Sequence, residues 1–122
     1  MAFYVSPYPE KKYAERAVVH ARCIGEHPET LPDTHGSPIM GTGYAGLGAH
    51  VDPASYRKTL DNNRWWFTLA HCHDGTFYHQ PNRDYNAIDF RNGKSRSSAS
   101  AAVAVILAAK NRNLYITGAG RK

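Results

Sequence analysis

Apolar and polar positions first fall into a helical period at Lys11. Tyr13, Ala14, Ala17, Val18, Ala21 and Ile24 stand at i, i+1, i+4, i+5, i+8 and i+11, an amphipathic stripe. Glu15, Arg16 and Arg22 lie off it, His20 sits at the edge of the polar face, and Gly25 has the place of a C-cap. Before this helix, residues 1–10 hold Pro7 and Pro9 and no helical period, which predicts an extended N-terminal arm. After it, residues 25–37 hold Gly/Pro breaks and the acids Glu26, Glu29 and Asp33, a loop. Ser37-Pro38 then places a capping residue before a proline at the first helical position.

The stretch that follows, IMGTGYAGLGAHV, carries no acid or base other than one histidine and is dense in glycine. It predicts a buried helix whose small residues Gly41, Ala45, Gly48 and Ala49 let a neighbouring helix come close. Asp52-Pro53 repeats the cap-plus-proline device and starts a helix predicted to run to about His73. Tyr56, Leu60, Asn63, Phe67 and Ala70 share one face of it, with Trp66, Leu69 and His73 beside them and Arg57, Lys58, Asp61 and Arg64 on the wet side. Asp74-Gly75 breaks the pattern. Residues 76–96 are irregular, with Thr76 to His79 as one short extended piece. Ser97 or Ser98 caps a last helix, Ala99 to about Lys110, which is apolar on every side and so predicted to be buried on every side. Residues 111–122 form a C-terminal tail.

The pattern is therefore all-α, about four helices in two antiparallel pairs with long irregular loops. At 122 residues one domain over 1–122 is the expectation. With 42% hydrophobic and 20% charged residues the composition is globular. Two of the helices are too apolar for a small domain standing alone.

A net charge of +5 permits anion contact, but the basic residues are scattered, and the aromatics keep apolar company instead of alternating with them. Nucleic acid is not the expected partner. The run Ala99 to Ala109 is about half of a bilayer span, so no membrane span is expected. No export signal opens the chain. Cys23 and Cys72, the two cysteines, form no disulfide framework. A cytoplasmic location follows, with a periplasmic or exported one kept for a chain cut from a longer precursor.

The densest candidate chemistry lies in Trp65 to Pro81, WWFTLAHCHDGTFYHQP. His71, Cys72 and His73 offer zinc ligands, with Cys23 or His35 as a distant partner. On a helix, however, neighbouring residues point about 100° apart, and no pair has CxxC or HxxxH spacing. No cofactor is expected; zinc is the alternative. For acid–base work His73 or His79 pairs with Asp74, Asp84 or Asp89, and His35 is a further candidate. Cys72, flanked by apolar residues in a helix, reads as an inert core thiol. Trp65 and Trp66 read as packing residues. Gly41-Thr42-Gly43-Tyr44-Ala45-Gly46 has the letters of a dinucleotide fingerprint but lacks the preceding strand.

From about Asp33 to Gly118 the chain resembles part of an uncharacterised bacterial family of much longer proteins. In them a PDZ-like region precedes an α/α-toroid region of the terpenoid-cyclase and prenyltransferase type. The likeness is carried by His35-Gly36, Trp65-Trp66, Asp74-Gly75-Thr76-Phe77 with Gln80-Pro81, the helix Ala99 to Ala109, and Leu114-Tyr115-Ile116-Thr117-Gly118. It implies helical hairpins whose apolar helices pack on neighbouring pairs. Two pairs cannot close a ring, so the resemblance implies a larger polypeptide or an assembly of copies. It carries over no activity. The expected function is a helical scaffold or protein-binding segment, with protein, through self-association or a larger assembly, as the partner. The alternative is part of an enzyme with a His/Asp site at the rim of the helical pairs.

Overall fold

The computed structural model describes residues 2–4, 6, 10–33, 38–78 and 96–111. Within them the chain is helical: α1 (Lys11–Glu26), a 3-10 turn (Pro28–Asp33), α2 (Pro38–Ala49), α3 (Pro53–Asn62), α4 (Arg64–Ala70) and α5 (Ser97–Ala108), which ends in a second 3-10 turn (Ala109–Asn111). The all-α expectation holds. The described residues contain no strand, only a single antiparallel bridge between His71 and Phe77.

The glycine-rich helix α2 is the centre, packing on α1, α3 and α5. Its glycines make this possible. A Cβ on Gly46 would stand 2.9 Å from Ile106 of α5, and one on Gly48 would stand 2.7 Å from Ile24 of α1. Helix α1 reaches α3 in the same way, through Gly25 against Ser55. Gly25 therefore lies inside the last turn of α1, buried, and is not its C-cap. Among the described residues the positive-φ glycine is Gly75, at 81°.

Helix α3 starts as its sequence requires. Asp52 accepts from the Ser55 N–H at 3.0 Å and Pro53 opens the first turn. Its end departs from expectation: the predicted single helix to His73 is two helices, so α-helices number five among the described residues, not four. The break is at Asn63, which is buried and leaves the helix with φ −99° and ψ 12°. Its Nδ2 donates to the Pro28 carbonyl at 2.7 Å and to the Thr59 carbonyl at 3.0 Å, tying the joint to the 3-10 turn. Helix α4 then stops at Ala70 because the Ala70 carbonyl is taken from the side, by the Tyr78 N–H at 2.7 Å.

The hydrophobic core gathers Trp66 and Ala70 of α4 with Ala99 and Val103 of α5, and Phe67, Phe77 and Ala102 pack against it. Helix α5 was expected to be buried on every side. It buries Ala99, Val103 and Ile106, and the 3-10 turn after it buries Ala109, while Val105 is 37% and Leu107 50% exposed. The described elements cover one stripe of this helix and leave Val105 and Leu107 partly exposed. It also starts on Ser97 after Arg96, with no side-chain cap from either serine.

The described part of the N-terminal arm is a turn, Ala2 to Tyr4, rather than extended chain. Phe3 stacks on His20 of α1 at 5.8 Å between centroids and tilts against Tyr13 at 5.5 Å. Tyr4 meets the ring of His50, just past α2, edge-on at 5.4 Å. Aromatic contact, not strand propensity, sets the path of these residues.

Candidate functional site

The chain after α4 forms a tight corner. His71 adopts extended backbone with φ −73° and ψ 130°. In extended chain successive side chains alternate, and so they do here: His71 and His73 are exposed and Cys72 is buried between them. The expectation that these three residues scatter around a helix is corrected, since the helix has ended; they alternate instead. The Cys72 N–H donates to the Thr76 carbonyl at 2.8 Å and the Gly75 N–H to the Cys72 carbonyl at 3.0 Å, closing the Asp74-Gly75 turn. The Cys72 thiol points inward toward the Ala70 carbonyl, at 3.7 Å.

Asp74 holds this corner together. One carboxylate oxygen accepts from the Thr76 hydroxyl at 2.6 Å and the Thr76 N–H at 3.0 Å; the other accepts from Arg96 at 2.8 Å. The Thr76 hydroxyl and N–H, with the Arg96 guanidinium, lower its pKa to about 2. Arg96 also lies over the Tyr78 ring at 4.9 Å. The Phe77 N–H donates to the Ser100 hydroxyl at 3.0 Å. These contacts fasten the corner to the start of α5. Asp74 thus meets Arg96 and Thr76, not a histidine, among the described residues.

The other candidates are spread out. Cys23 is exposed on α1, far along the chain from the corner. His35 and His79 lie outside the described residues, as do Asp84 and Asp89. Among the described residues no three His, Cys, Asp or Glu side chains converge as a metal set would, and no helix is long and apolar enough to cross a membrane.

What the structure does assemble is an open groove of about 610 Å³ on the other side of the corner. Leu60, Phe67, Phe77, Val103 and Leu107 supply its apolar floor, and Arg57, Asp61, Arg64, Thr68 and His71 its edge. The edge residues belong to α3, α4 and the first residue after it. Asp61 bridges two guanidinium groups, taking Arg64 at 2.7 Å and Arg57 as its second partner. Those two arginines hold its carboxyl below the usual carboxylate range. The His71 ring tilts against Phe77, 5.0 Å away. A second groove, about 240 Å³ and almost wholly apolar, runs between α2 and α5 past Gly43, Tyr44, Leu47, Ala101, Ala102 and Val105.

Reading the sequence places Arg57, Asp61 and Arg64 on the wet side of a helix and gives them no further part. Their spacing of i, i+4 and i+7 shows that they share a face. That this face borders an apolar floor depends on Val103 and Leu107, far along the chain. Arg96 carries no signal in the sequence that pairs it with Asp74.

Fold and groove define an all-α protein in which, among the described residues, an apolar-lined groove borders α5 on either side. The chain belongs to the family described as Domain of unknown function (DUF6288), which it matches over residues 6–118. No curated protein and no solved structure matches it.

Proposed function

We propose that the chain is a helical protein-binding segment whose open apolar surfaces pack on other protein, as helical pairs do in an α/α-toroid. The observation that carries this reading is α5, apolar all round, of which the described elements cover one stripe, with Val105 37% and Leu107 50% exposed. Across the narrow groove Tyr44 of α2 is 66% exposed. Its floor, Gly43, Ala101 and Ala102, has side chains small enough for another helix to approach closely. Exposed apolar surface that is contiguous and grooved marks interaction sites. The likeness of this chain to the toroid region that follows a PDZ-like region in longer bacterial proteins supports the same arrangement, in which such helices face neighbouring pairs.

Sedimentation velocity at micromolar concentration tests the reading. The expected result is self-association through the α2–α5 groove, lost in Val105→Asp with the helical circular dichroism unchanged. A stably folded, monodisperse monomer would overturn it.

A further inference from the structure

The larger groove differs from the α2–α5 groove in its edge, and the difference names its occupant. Its wall runs from Arg57 through Leu60, Arg64 and Phe67 to His71, in steps of three and four residues. It passes from α3 across the joint at Asn63 to α4 and ends on the extended residue that follows α4. Opposite it stand Val103 and Leu107, one turn apart on α5. Leu60, Phe67, Phe77 and Leu107 line an apolar groove between α3–α4 and α5, the kind of surface on which an amphipathic helix lays its apolar face.

Charge decides which helix. The wall carries Arg57 and Arg64, 75% and 72% exposed, against the single carboxylate of Asp61. Each guanidinium has five N–H donors, so a bond to Asp61 leaves donors facing outward. His71 extends the same edge. The described helices of this chain do not complement it: α2 and α5 carry no charged residue at all, and α1 carries Lys11, Lys12, Arg16 and Arg22 against Glu15 and Glu26. A second copy therefore offers no described helix that combines an apolar face with acidic flanks.

We propose that the groove between α3–α4 and α5 binds an amphipathic helix of a different protein, apolar on one face and flanked by Asp or Glu. This rests on the protein-binding reading but concerns a separate surface, so each can fail alone. The partner's apolar face covers Leu60, Phe67 and Leu107, and its carboxylates take the outward donors of Arg57 and Arg64.

The test is fluorescence anisotropy of the full chain with two labelled peptides of about 18 residues, long enough to be helical when bound. Both carry leucines at i, i+3, i+4 and i+7; one has glutamates at its flanks, the other lysines. The glutamate peptide is expected to bind about tenfold tighter, the sum of two or three exposed ion pairs. The preference should vanish at 1 M salt, where the screening length is about 3 Å. Arg57→Glu with Arg64→Glu should reverse it, and Leu107→Asp should weaken both peptides. Circular dichroism confirms that the variants are folded, since the altered side chains are exposed. Equal binding of the two peptides, or a preference that survives the double charge reversal, overturns the acidic-helix assignment. Binding of neither peptide overturns it too, and leaves self-association through Val105 to be judged separately.

Discussion

Gly25 of α1 faces Ser55 of α3 with no space between them: a Cβ at position 25 would stand 2.6 Å from the Ser55 Cβ and 2.7 Å from its Cα. The second atom is backbone and cannot rotate away. Gly25→Ala therefore has to push two helices apart, which costs about 1–3 kcal/mol, against a gain of at most about 1 kcal/mol in helix propensity. A net loss of about 1–2 kcal/mol is expected in urea denaturation. Gly43→Ala is the control, because its Cβ would meet Ala102 at an ordinary 3.6 Å. There the propensity gain of about 0.5–1 kcal/mol should appear as added stability.

Trp65 and Trp66 are adjacent and opposite in consequence. Trp66 is 2% exposed in the core cluster, and Trp65 is 53% exposed. Trp66→Ala should cost about 3–5 kcal/mol, while Trp65→Ala should stay within about 0.5 kcal/mol. Chemical denaturation of the two variants separates them, and the single tryptophan left in each reports its own surroundings by emission wavelength.

Tyr56 joins α3 to the last turn of α5, its hydroxyl donating to the Ile106 carbonyl. Tyr56→Phe removes that bond and leaves the ring in place. A loss of about 0.5–1.5 kcal/mol is expected from equilibrium unfolding. No change at all would mean that the carbonyl finds water equally well.

The Asp74 carboxyl is depressed from 3.8 to about 2 in the folded chain. A group lowered on folding contributes stability above its unfolded pKa and loses it as the pH falls through the folded one. Wild-type stability should therefore fall between about pH 4 and pH 2. Asp52 and Asp61 are lowered as well, so the share of Asp74 is the difference between wild type and Asp74→Asn. The variant should be less stable at neutral pH, and the gap should close toward pH 2. A constant gap across that range would assign the loss to packing instead of charge.

The candidate chemistry that drew notice in the sequence, His71-Cys72-His73-Asp74, is legible as a corner but not as a site. Asp-Gly predicts a turn from backbone preference alone, and the turn is there, with Gly75 at φ 81°. The same letters do not say that Asp74 is held by Arg96, 22 residues on. Nor do they say that the Ala70 carbonyl is drawn off by Tyr78. The groove was less legible still, because one wall lies in residues 57–71 and the other in α5.

By itself the sequence determined what local chemistry controls. Proline and an aspartate cap start α3, and an aspartate-glycine pair makes the corner. These follow from the preferences of a few neighbouring residues. Tertiary structure decided where a helix is interrupted and what its surface is for. Asn63 breaks the helix because its amide finds the Pro28 carbonyl, 35 residues back. Helix α5 is half covered because the described elements reach one stripe of it, an outcome set by the geometry of packing and not by its own composition. The physical reason is the same in each case: the deciding partner is close in space and distant in the chain.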